Sequence, residues 1–215
     1  MLGSVARGLY AITHDERDTG KLVAAVEAAL RGGAAIVQYR NKTADAATRR
    51  AQAAALVACC KSRGVPLIVN DDASLAVEVD ADGAHLGAQD GEVASARRIL
   101  GPRRWLGASC YNRLELADSA LEAGADYVAF GSFFASATKP GAQRASPDLI
   151  AAIKRQRPHV GVAAIGGITL ANGPSLVAAG VDWLCVISAL FEAADIEAVA
   201  QGFSRLFATA SQRSS

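Results

Sequence analysis

A single-domain α/β fold, a (β/α)8 TIM barrel, is predicted for this 215-residue sequence by three observations. Eight short apolar runs, each bounded by Gly, Pro, Asp or Asn, alternate with segments of helical spacing from one end of the chain to the other. The runs are continuously apolar rather than alternating, as strands covered on both faces require. A junction in which a helix end turns into a strand also recurs, as RGGAAIV (31–37), VDADGAH (79–85), EAGADYVAF (122–130) and AAGVDWLCV (178–186). Its interval of roughly 45 to 55 residues is the length of two βα units. An open doubly wound sheet of eight strands is the competing architecture. No GxGxxG follows the first strand, and the even pacing favours a closed barrel.

The elements follow in order. The first strand, GLYAIT (8–13), leads into a helix whose Leu22, Val26 and Leu30 share one face at i, i+4 and i+8. The strands AIVQY (35–39), PLIV (66–69), GAHL (83–86) and RWLGAS (104–109) come next. Asn112 is then placed to cap a helix, with Glu115 three residues on completing a capping box ahead of the stripe Leu114, Ala117 and Leu121. The strands DYVAFG (126–131), GVAAIG (161–166) and WLCVIS (183–188) complete the eight. Ile196, Val199, Phe203 and Leu206 mark a last helix that should close the chain against its neighbours.

Composition narrows the function. A net charge of +1 lacks the basic surplus that a general nucleic-acid binder needs. No apolar stretch approaches the ~18 residues of a membrane span, and Asp15 and Glu16 interrupt the N-terminus before any signal-peptide core. Cys59, Cys60, Cys110 and Cys185 form no CxxC pair or zinc spacing and read as small buried hydrophobes. A soluble, cytoplasmic protein with small-molecule partners, and without nucleic-acid or membrane partners, is expected. A homo-oligomer is compatible with this reading.

In parallel barrels the chemistry sits on the loops at the C-terminal ends of the strands. After the second strand, Gln38, Arg40 and Lys42 lie at period two and project to one side. Two cations at a barrel mouth suit an anionic substrate, although a solvated loop would carry the same residues. The third strand ends in Asn70-Asp71-Asp72, and Asp90 follows the fourth. One or two carboxylates plus phosphate oxygens are a usual Mg²⁺ site, but by spacing either Asp71 or Asp72 also serves as a helix cap. His85 reads as a hydrogen-bonded residue of the barrel interior rather than a catalytic one. The long loop 131–145 carries Ser136, Thr138 and Lys139. Gly166-Gly167 after the seventh strand and Ile187-Ser188 after the eighth match the common barrel phosphate site. Two anion sites at one mouth imply an enzyme that joins or cleaves two phosphorylated pieces.

At these residues the chain resembles the thiamine phosphate synthase family of barrel transferases, over roughly residues 8 to 191. The matching stretches are VQYRNK, LIVNDDASLAVEVDADGAHLGAQD, LGASCYN, ADYVAFGSFFASATKPGA and VAAIGGIT…GVDWLCVISAL. The resemblance implies a step in thiamine biosynthesis. 4-Amino-2-methyl-5-(diphosphooxymethyl)pyrimidine is joined to a carboxylated thiazole phosphate, giving thiamine phosphate, diphosphate and carbon dioxide. It also implies that Gln38, Tyr39, Arg40, Asn41, Lys42, Asn70, Ser109 and Lys139 hold the pyrimidine diphosphate, and that Asp71 and Asp90 carry Mg²⁺. Ser136, Ala137, Thr138, Gly167, Ile187 and Ser188 would then hold the thiazole phosphate, with Arg40, Lys139 and Ser109 acting in catalysis. The chain departs from the family pattern at Ala135-Ser136, where Pro-Thr is more frequent, and at Asp72, where Arg is frequent. The related thiazole tautomerases, the nearest rival, tend to lose the paired carboxylates and place a histidine where this chain has Tyr111. A non-catalytic phosphate-ligand sensor is the rival from another class, and it would not need so large a cation cluster.

Overall fold

In the computed structural model, which describes residues 6–87, 91–135 and 144–212, eight parallel strands close into a barrel in sequence order. The first half comprises β1 (Gly8–Ile12), α1 (Thr19–Arg31), β2 (Ile36–Tyr39), α2 (Ala46–Lys61), β3 (Leu67–Asn70), α3 (Ala73–Glu78), β4 (Gly83–Leu86) and α4 (Val93–Leu100). The second comprises β5 (Trp105–Tyr111), α5 (Leu114–Glu122), β6 (Tyr127–Gly131), α6 (Pro147–Gln156), β7 (Gly161–Ile165), α7 (Gly173–Ala178), β8 (Trp183–Val186), α8 (Ser188–Phe191) and α9 (Ile196–Gln212). Each predicted strand is present, with ends shifted by no more than two residues.

The recurrent junction is a structural device. Gly33, Asp80, Gly124 and Gly180 all adopt left-handed backbone after a helix. The next residue in each case donates its N–H back to the last helical turn: Ala34 to Ala29 O, Ala81 to Ala76 O, Ala125 to Ala120 O and Val181 to Leu176 O. This is the Schellman arrangement, which satisfies carbonyls the helix end leaves orphaned. In three of the four junctions an aspartate then ties two strands together. Asp82, Asp126 and Asp182 accept the N–H of Leu67, Leu106 and Val162, which lie at the first or second position of β3, β5 and β7. Arg97 at 2.5 Å and Lys154 at 2.5 Å neutralise Asp126 and Asp182 at the foot of the barrel.

Two apolar layers follow from the strand period. One lies between strands and helices and contains Leu9, Val26, Leu56, Val69, Leu106, Phe130, Leu184 and Phe203. Leu22, Val26 and Leu30 are buried on one face of α1 as expected, and α9 packs on α1, α7 and β1 to close the ring. The other layer fills the lumen with Tyr10, Ile12, Ile36, Ile68, Tyr127, Ala129, Ala163, Trp183 and Cys185. Cys60, Cys110 and Cys185 are buried, and burial pushes the Cys110 thiol up to about 12.

One local expectation fails. α5 begins at Leu114 with Arg113 as its N-cap and no side-chain cap bond, so the capping box starting at Asn112 does not form. The reason lies in β5, where the register shifts between Ser109 and Tyr111 and Tyr111 takes a left-handed φ of 52°. The strand therefore runs further, and the turn into the helix starts later. Among the described residues no helix is long and apolar enough to cross a membrane.

Candidate active site

At the C-terminal mouth, the end of β2 is held by its neighbour. Thr13, fully buried after β1, accepts the Arg40 N–H at 2.8 Å and donates its hydroxyl to Arg40 O at 2.9 Å. Asp15 accepts from Arg40 Nη1 at 3.3 Å and from the Lys42 amide at 2.8 Å. A buried staple and a carboxylate thus fix the backbone that carries Arg40 and Lys42. Period two separates their neighbours. The Tyr39 ring is buried towards α2, its hydroxyl donating to Gln52 Oε1 at 2.9 Å. Asn41, also buried, donates to Glu16 O and accepts from the amides of Thr43 and Ala44. At Tyr39 and Asn41 the side chains build the loop.

Asp71 follows β3 in left-handed backbone, φ 63°, its N–H bound to His85 O at 2.8 Å. Its carboxylate lies 3.2 Å from Lys42 Nζ. Asp72 instead caps α3, Oδ1 accepting from Leu75 N at 2.8 Å, and pairs with Arg49 at 3.1 Å. Of the two aspartates that spacing allowed as the cap, Asp72 is the one that caps the helix, and Asp71 pairs with Lys42. Asn70, half-buried at the end of β3, lies in register with His85. Ser109 is half-buried on β5 and bonded to His85 Nε2 at 2.9 Å. His85 is 7% exposed, and burial pushes its imidazole down to about 4, so it is neutral near pH 7. It is the interior histidine expected from the sequence.

On the opposite side, Gly166 and Gly167 both have positive φ, 108° and 61°. Phe133 N donates to Ile165 O and Phe134 N to Gly166 O, so the segment after β6 lies directly on this turn. A Cβ on Gly167 would collide with Ala135 O, so glycine here is required by the packing of two loops as well as by any approach to an anion. Ile187 and Ser188, half-buried, open α8, whose first amides have no acceptor within the helix. Asp90, Ser136, Ala137, Thr138 and Lys139 lie outside the described residues. Among the described residues no group of three or more His, Cys, Asp or Glu is placed to hold a metal.

Residues 9–190 match the family model described as thiamine monophosphate synthase. The chain belongs to the thiamine monophosphate synthase family. It is 55% identical over 203 residues to the thiamine-phosphate synthase of Thiobacillus denitrificans, covering 94% of this chain and 95% of the relative. It is 52% identical over 201 residues to that of Methylobacillus flagellatus, covering 94% and 95%. The structure of thiamine phosphate pyrophosphorylase from Pyrococcus furiosus superposes with a TM-score of 0.84 at 31% identity, over 95% of this chain and 96% of that one.

Within this thiamine monophosphate synthase barrel, sequence reasoning missed Thr13, Asp15 and His14. Thr13 and Asp15 act on the backbone of a loop 25 or more residues away, which no spacing rule exposes. His14 lies between the end of β1 and α8, with its ring 5.9 Å from that of Phe191. Its Nδ1 is the one buried side-chain nitrogen or oxygen without a hydrogen bond among the described residues.

Proposed function

We propose that the chain joins 4-amino-2-methyl-5-(diphosphooxymethyl)pyrimidine to a carboxylated thiazole phosphate, releasing diphosphate and carbon dioxide and leaving thiamine phosphate. The observation that carries this reading is the convergence of Arg40, Lys42 and Asp71 at the mouth of a barrel of this family.

The C–O bond between the pyrimidine methylene and diphosphate breaks first, its electrons leaving with the diphosphate. Arg40 and Lys42, joined by Lys139, receive the leaving group, and Arg40 can grip two oxygens at once. The electron-rich aminopyrimidine stabilises the cation left behind, and Gln38, Asn70 and Ser109 hold its ring in place. Ser136, Ala137, Thr138, Gly167, Ile187 and Ser188 hold the thiazole phosphate so that the ring nitrogen faces the cation and captures it. Loss of the thiazole carboxylate as carbon dioxide leaves its electron pair on the ring carbon, which takes up a proton from water and completes the exchange. Such a reaction depends on charge stabilisation and positioning more than on a strong base, which suits a mouth rich in cations and amides.

The donor set fits Mg²⁺. Asp71 is a mouth-facing carboxylate that already holds a cationic group at 3.2 Å, and Mg²⁺ takes oxygen from one or two carboxylates plus phosphate. Asp71 and Asp90 would hold the ion, which when bound adds positive charge to the departing diphosphate. A coupled assay offering the carboxylated and the plain thiazole phosphate, each with and without Mg²⁺, tests the reading. Metal-dependent thiamine phosphate formation, with carbon dioxide only from the carboxylated form, is expected. No product from either form overturns it.

A further inference from the structure

We propose that Tyr10, Tyr127 and His85 are positioning residues that form one directional hydrogen-bond chain through the barrel lumen, linking Gln38 to Ser109 and aiming the Ser109 hydroxyl at the pyrimidine substrate. The inference rests on the reading that Gln38 and Ser109 contact that substrate.

The five side chains come from β2, β1, β6, β4 and β5. Gln38 Nε2 donates to the Tyr10 hydroxyl at 2.9 Å, and the Tyr10 and Tyr127 hydroxyls are 2.8 Å apart. Tyr127 lies 3.1 Å from His85 Nδ1, and His85 Nε2 lies 2.9 Å from Ser109 Oγ. Gln38, Tyr10, Tyr127 and His85 are each no more than 7% exposed, so water does not complete their bonding.

The donors fix the sense of the chain. A phenol has one hydrogen. With Gln38 donating into Tyr10, the Tyr10 hydrogen goes to Tyr127 and the Tyr127 hydrogen to His85 Nδ1. A neutral imidazole must then carry its proton on Nε2 and donate it to Ser109 Oγ. The Ser109 hydrogen is left to point into the mouth as a donor.

Space for the chain is kept open. A Cβ on Gly107 would collide with the Tyr127 ring and with His85 Nδ1. Barrel lumens are ordinarily filled with branched aliphatic side chains. A buried polar chain is costly unless every member is satisfied, so its role is to hold direction at its ends. The condensation needs no base, and the chain supplies none.

The test compares Tyr127→Phe in the wild-type and Ser109→Ala backgrounds, measuring kcat/KM, KM for each substrate, and Tm. Ser109→Ala should lower kcat/KM for the pyrimidine diphosphate by about tenfold or more. Tyr127→Phe should lower it by about five- to tenfold in the wild type but less than about twofold once Ser109 is absent, with KM for the thiazole phosphate unchanged. Tyr10→Phe, which breaks the chain one link earlier, should behave alike and stands in if Tyr127→Phe does not fold. Equal losses in both backgrounds, or equal effects on both substrates, mean a structural role and overturn the proposal. An impaired Ser109→Ala beside a fully active Tyr127→Phe overturns the chain alone. A fully active Ser109→Ala removes Ser109 from the substrate site and the proposal with it.

Discussion

At Asp71 the backbone passes through the left-handed region, φ 63°, and the carboxylate meets Lys42. One residue on, Asp72 is extended at φ −137° and turns its carboxylate onto Leu75 N. Two identical side chains thus take different roles from a backbone difference that spacing does not reveal. Asp71→Ala and Asp90→Ala should each abolish most Mg²⁺-dependent turnover. Asp72→Ala should cost stability of about 1 kcal/mol and leave turnover near wild type. Turnover and Tm for the three variants check this. For Arg40→Ala, kcat/KM should fall by the equivalent of about 2–5 kcal/mol, the scale of truncating one partner of a desolvated charge pair, with Lys139→Ala comparable. Circular dichroism should show both folded.

His85 adds a pH signature. Its imidazole titrates at about 4 in the folded chain against 6.5 in a solvated one, so between those values the unfolded chain binds more protons. Its contribution to stability is complete above pH 6.5 and is lost as pH falls from 6.5 to about 4, amounting to roughly 3 kcal/mol at most. Denaturant melts of the wild type and His85→Gln across that window should differ in slope, the variant losing less stability on acidification.

At the scale of elements, the junctions at the foot of the barrel carry stability and the loops at the mouth carry chemistry. Asp182 accepts from Val162 N at 2.8 Å and pairs with Lys154, and its side chain is only 16% exposed. Asp182→Ala should therefore cost about 1.5–3 kcal/mol, the range for a charged hydrogen-bond partner, while kcat/KM stays at wild type. Chemical denaturation alongside the turnover assay reads both. The junctions were legible as a sequence repeat because the left-handed residue and a small apolar residue recur in one order, followed in three of the four by aspartate. The helix start after β5 was not, because a register shift in the strand displaced it. At the mouth, Gln38, Arg40 and Lys42 were legible through period two. The Thr13 staple and the Gln38–Tyr10–Tyr127–His85–Ser109 chain were not, since their members lie on separate strands and meet only when the barrel closes.

At the scale of the whole molecule, closure brings a cation-rich group from β2 and β3 to face a turn of paired glycines and a helix start from β7 and β8. One mouth can thus hold two anionic pieces, and the lumen beneath it is filled rather than open. On the proposed reading, this mouth exchanges diphosphate for a thiazole nitrogen. The most direct measurement mixes the protein with the pyrimidine diphosphate and the carboxylated thiazole phosphate, and follows diphosphate and thiamine phosphate together as Mg²⁺ is added. Equimolar release of the two, rising with Mg²⁺, is the predicted result. Thiamine phosphate without diphosphate, or no change in either product on adding the metal, would contradict it.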